Sequence, residues 1–80
     1  MKVLSSTAHK DNDGNVNFLT IFTYGGNEEL GMNGEKVYMW GSKELSGEIE
    51  YTIEDFRTKP REFTNKEGKE ITLTYIVGMK

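Results

Sequence analysis

The 80-residue chain contains no cysteine, and it has one histidine (His9), one proline (Pro60) and one tryptophan (Trp40). Without cysteine neither a disulfide framework nor a thiolate metal site can form, and a lone imidazole excludes a histidine-rich metal centre. No stretch comes near the run of about 18 apolar residues that spans a bilayer, and the opening "MKVLSSTAHKDNDG" lacks the apolar segment of a secretory signal. A cytoplasmic, non-membrane protein is the expectation. Catalytic motifs are missing too: there is no phosphate-cradling glycine loop ending in Lys-Ser/Thr, no nucleophile elbow, and few general bases. No enzymatic activity, small-molecule substrate, cofactor or metal is expected. The stretch "DNDGN" offers oxygen donors at Asp11, Asn12 and Asp13. A calcium loop counted from Asp11 would need a bidentate Glu at its twelfth position, which here is Phe22, so a turn is the better account.

The chain is long enough for one domain with a small core. Its hydrophobic fraction of 35% is low and its charged fraction of 29% high, so oligomerisation or ligand binding is expected to add to its stability. The net charge of −3 is unevenly spread. Arg57, Lys59, Arg61, Lys66 and Lys69 outnumber Glu62 and Glu67 in one segment, a local +3, whereas "ELSGEIEYTIED" holds five carboxylates and no base. The molecule is polarised.

Runs of β-branched and aromatic residues, broken by Gly, Asn and Asp clusters, point to an all-β domain covering residues 1–80. The expected strands are roughly Lys2 to His9, "NVNFLTIFTYG", "EKVYMWGS", "EIEYTIEDF" and "ITLTYIVG". Asp13-Gly14 signals a hairpin between the first two, and His9 beside Lys10 suits an exposed strand end. "GGNEELGMNGE" is expected to be a flexible connection. The fourth strand has the cleanest alternation, Ile49, Tyr51 and Ile53 against Glu48, Glu50, Thr52 and Glu54. "RTKPREFTNKEGKE" suits an exposed loop or extended hairpin tip, because Pro60 lacks a ladder donor and confines its segment to an edge. Closing five strands into a small barrel would remove the sheet's edges, and the oligonucleotide-binding (OB) and SH3-like barrels are the two common choices.

Strand alternation in "EKVYMWGS" separates Lys36, Tyr38 and Trp40 from Val37 and Met39. A cation and two large rings on one face require a partner other than water: a second core layer, another chain, or a ligand with flat rings and negative charge. The preceding strand adds Phe18, Phe22 and Tyr24, on a face that could be shared, although a small barrel also needs its phenylalanines inside.

The second half of the chain resembles the single-stranded DNA-binding proteins of the OB fold. "KVYMWG", a shortened "SKEL", and the basic, aromatic "GEIEYTIEDFRTKPREFTNKEGKE" carry the resemblance, which covers roughly residues 36 to 78. The chain departs from the cellular members in its short length and in lacking their acidic tail, as expected of a minimal phage or mobile-element type acting in DNA replication or recombination. The resemblance implies non-sequence-specific binding of single-stranded DNA, with the barrel's second and third strands and two flanking loops as the binding face. The candidate contacts are Lys36, Tyr38, Trp40, Phe22 and Tyr24 on the strands, and Arg57, Lys59, Arg61, Phe63 and Lys66 from a mobile basic flap. A homo-oligomer, dimer or higher, is expected. The alternative is a small phage or plasmid interaction protein that binds a host protein or itself through the same aromatic face.

Overall fold

Two hairpins of the chain turn on the same chemistry. The Asp11 carboxylate accepts from the backbone N–H groups of Asp13 and Asn15, and the Asn65 side-chain oxygen accepts from those of Glu67 and Lys69. Each turn is completed by a glycine at positive φ, Gly14 at 85° and Gly68 at 77°, a conformation that other residues adopt only with strain. These turns join β1 (Lys2–Lys10) to β2 (Val16–Tyr24) and β4 (Phe56–Thr64) to β5 (Glu70–Met79). With β3 (Glu35–Gly41) they form one five-stranded sheet in the order β1-β2-β3-β5-β4. Neighbours are antiparallel except β3 and β5, which run parallel. The computed structural model describes residues 1–26, 28–30 and 34–80, so part of "GGNEELGMNGE" lies outside the described residues.

The protein is all-β, but the sheet is not closed into the expected barrel: β1 and β4 are its two edges. The connection from β3 to β4 takes the place that closure would need. Gly47 accepts from the Val3 N–H at 2.7 Å, Ile49 donates to the Met1 carbonyl at 2.9 Å, and Glu48 forms an isolated bridge with Lys2. This end of the β1 edge is thus already paired with chain from the connection.

The same connection corrects the expected fourth strand. "EIEYTIEDF" is an irregular segment ending in a 3-10 turn over Ile53–Asp55, in which the Asp55 carboxylate accepts from the Thr52 N–H at 2.8 Å. Its apolar side chains have another use. Leu45, Ile49 and Ile53 pack down onto a buried cluster of Phe22, Val37, Phe56 and Ile76 and so cover one face of the sheet. Thr20 is buried among them, and its hydroxyl pairs at 2.9 Å with that of Ser6, which also accepts from the Leu45 N–H. No buried side-chain polar atom among the described residues lacks a partner, as the cost of burying an unpaired hydroxyl demands.

Of the two expectations for the basic segment, an exposed loop or an extended hairpin tip, the second holds: it forms a strand and the turn of a hairpin, and the mobile flap is corrected to a paired strand. β4 pairs along its length with β5, from Phe56 opposite Met79 to Thr64 opposite Glu70. It is an edge strand, the position in which Pro60 is tolerated.

Candidate functional site

Register divides the side chains of the sheet into two sets, because residues directly opposite on neighbouring strands point to the same face. Phe22 stands opposite Val37 and so belongs to the covered face. Ile21 stands opposite Tyr38, Leu19 opposite Trp40 and Tyr38 opposite Tyr75. Lys59 stands opposite Tyr75, Arg61 opposite Leu73 and Phe63 opposite Ile71. His9, opposite Asn17 on β2, joins the same set, whereas Arg57 lies beyond a register shift between Arg57 and Thr58, with its guanidinium beside Gly78. This second face is left open: Trp40 is 47% and Phe63 41% exposed. The carboxylates within strands, Glu35, Glu62 and Glu70, all fall by register on the other face, opposite Tyr24, Thr72 and Thr64.

The rings on the open face touch one another in two groups. His9 meets Trp40 edge-on, with centroids 5.3 Å apart. Tyr38 stacks on Tyr75 at 5.6 Å, and Phe63 leans on Tyr75 at 6.2 Å. The Arg61 guanidinium carbon sits 5.4 Å from the centre of the Tyr75 ring, within cation–π range. Tyr75 is itself buried beneath these neighbours, so it holds Tyr38, Phe63 and Arg61 in place. Trp40 and Phe63 keep ring surface free, and Tyr38 is half-buried between them.

Six of the expected binding residues, Lys36, Tyr38, Trp40, Lys59, Arg61 and Phe63, are brought onto this one face, and Arg57 lies past the register shift at the start of β4. Lys66 lies in the β4–β5 turn, apart from the sheet surface. Phe22 and Tyr24 are corrections. Phe22 is wholly buried in the core, and no base can reach it. Tyr24 packs against that core on the covered face, and its hydroxyl reaches Glu35 Oε2 at 3.5 Å. Burial first, and then the neighbouring Glu35 carboxylate, push the Tyr24 phenol above its ordinary value. The idea that β2 and β3 share an aromatic face fails on pairing: Phe22 meets Val37, so the β2 aromatics and the β3 aromatics look in opposite directions.

Sequence reasoning misses Tyr75 and His9. Tyr75 alternates with Leu73 and Ile71 in "ITLTYIVG", a signal of strand face, but only the parallel pairing with β3 sets it against Tyr38. His9 joins through its contact with Trp40 across the intervening β2. The opposite side of the molecule is acidic, since the connection over the core carries Glu44, Glu48, Glu50, Glu54 and Asp55. Among the described residues no cluster of three or more His, Asp or Glu is placed to hold a metal ion, and no helix is long and apolar enough to cross a membrane. No protein-family model, curated protein or solved structure matches this chain.

Proposed function

We propose that the chain binds single-stranded DNA, with little regard to sequence, on the open face of its sheet. The observation that carries this reading is the composition of that face: Trp40, Phe63 and Tyr38 interleaved with Lys36, Lys59 and Arg61, and no strand carboxylate among them. A single strand offers two things to recognise, a line of phosphates and a row of flat bases. Cations along β3 and β4 capture the first, and ring surface on Trp40 and Phe63 takes the second, at about 1–3 kcal/mol per stacked base. The acidic connection on the far side repels the same backbone and favours approach from one direction. The resemblance in the second half of the chain agrees with this reading and suggests replication or recombination of a phage or mobile element as its setting.

Trp40 is the only tryptophan and sits on the face in question, so its fluorescence is a direct reporter. Titration with oligo-dT at low salt is expected to quench it, with affinity falling as salt rises. Fluorescence and gel mobility that both ignore saturating oligonucleotide would remove the reading. A second reading, self-association or capture of a host protein through this face, draws on the exposed apolar side chains Phe63 and Ile71 at its β4–β5 end. Light scattering of Trp40→Ala and Phe63→Ala separates the two: loss of an oligomer with oligo-dT binding intact would make the face a subunit interface.

A further inference from the structure

Of the tryptophan, tyrosine and phenylalanine rings on the open face, Trp40 is the most exposed, yet the lysines and arginine of that face stand away from it. Lys36 comes earlier on β3, about 13 Å along the strand at 3.3 Å per residue, and Lys59 and Arg61 are on β4, beyond β5. What Trp40 touches is His9, whose ring meets it at 74° with centroids 5.3 Å apart. Because β2 separates β1 from β3, the two side chains lean toward each other across it, above Asn17 and Leu19. Both are exposed, so an imidazole borders the free ring surface of Trp40.

Little fixed charge faces that imidazole. β2 has no charged residue, β1 has Lys2 at its far end and Lys10 on the other face by alternation, and β3 has Lys36 near its start and Glu35 on the other face. Asp11 follows β1, but its carboxylate accepts from the Asp13 and Asn15 amides. Lys43 and Glu44 follow β3 and belong to the connection.

We propose that His9 is a further contact of the single-strand site: its imidazolium takes the phosphate beside the base stacked on Trp40, so binding draws a proton onto His9 and tightens as pH falls. The inference rests on the single-strand reading of the open face and adds a pH-responsive position to it. Imidazole is the side chain that changes charge between about pH 5 and 8, and His9 is the one histidine of the chain. The neutral ring offers a single N–H, whereas the imidazolium offers two and a positive charge that a phosphate favours. A neighbouring phosphate holds the proton more tightly, so the bound protein is protonated at a pH where the free protein is not. Affinity therefore rises on acidification and levels off once free His9 is charged as well. The terminal amine of Met1, which also titrates near this interval, is bonded to the Ile49 and Tyr51 carbonyls of the connection.

Oligo-dT affinity is measured at about pH 6 and pH 8, at fixed low salt, for the wild type, His9→Gln and His9→Lys. The wild type is expected to bind about threefold more tightly at the acidic end, the scale of one exposed ion pair, and its slope of log affinity against log salt to steepen by up to about 0.7. His9→Gln should keep the weaker, alkaline affinity at both values, and His9→Lys the tighter, acidic one. Thermal melts of the three should coincide, since the side chain is exposed. A wild-type affinity that ignores pH, or the same acid tightening in His9→Gln, would overturn the role of His9 and leave the single-strand reading standing. Equal weakening in both variants at both pH values would reduce His9 to a packing support for Trp40 and overturn it too. If the wild type binds no oligo-dT at either pH, the single-strand reading falls and this inference with it.

Discussion

Phe22 and Tyr38 stand on adjacent strands, one residue out of step, and meet opposite fates. Phe22 is shut into the core beneath Leu45, Ile49 and Ile53, whereas Tyr38 belongs to a surface whose outer rings remain about half exposed. Both faces of the sheet are rich in large side chains, so hydrophobicity alone does not tell them apart. What separates them is cover. The long connection between β3 and β4 places its apolar residues on one face, and its five carboxylates make that side repel polyanions. The other face keeps its aromatics and gathers the basic residues of β4. An aromatic residue on this sheet is structural or available according to parity in its strand.

The largest effect expected from this division is on the covered face. Phe22→Ala should cost about 3–5 kcal/mol of stability through lost burial and the cavity left behind, as measured by urea unfolding. A loss below about 1 kcal/mol would mean that this face is not the core. On the open face the balance reverses. Trp40→Ala should weaken oligo-dT binding by about 1–3 kcal/mol, one stacked base, while changing the thermal melt little, since the ring is half exposed. Equal damage to folding and binding would erase the distinction between the faces.

Smaller effects sharpen the comparison. Replacing Arg57, Lys59 and Arg61 by alanine should lower the slope of log affinity against log salt by about 0.7 for each phosphate no longer neutralised, with urea stability nearly unchanged. A slope that stays put would show that β4 is a bystander. Tyr24 supplies the smallest test, from the covered side. Its folded pKa is raised, so its contribution to stability is present below the ordinary tyrosine value of about 10 and is lost as pH rises through the folded value. Tyr24→Phe should flatten that alkaline decline in stability without altering oligo-dT affinity at neutral pH.

How much of this was legible in the sequence depended on which physical quantity set each feature. The alternation of Lys36, Tyr38 and Trp40 against Val37 and Met39 is a property of one strand, and it survives in the fold. Which β2 residues share a face with them is a property of pairing parity, and a slip of one residue exchanges the faces. The placement of Phe22 and Tyr24 could not be read without the register. "EIEYTIEDF" alternates as a half-buried strand would, because the pattern reports that one side is buried and says nothing about what buries it. Here Ile49 and Ile53 seal the core from a connection. The reverse holds for "RTKPREFT", polar on both sides and interrupted by Pro60, which becomes a strand through its antiparallel pairing with β5. That pairing places its cations on the sheet instead of a flap, beside the rings of β3 and β5.

The central claim is that single-stranded DNA lies on the open face, and photo-crosslinking tests it most directly. Oligo-dT carrying 5-bromodeoxyuridine, irradiated in complex with the protein and mapped by peptide mass spectrometry, should attach to Trp40, Tyr38 or Phe63. Crosslinks confined to the acidic connection over the core, or none at low salt and saturating oligonucleotide, would contradict it.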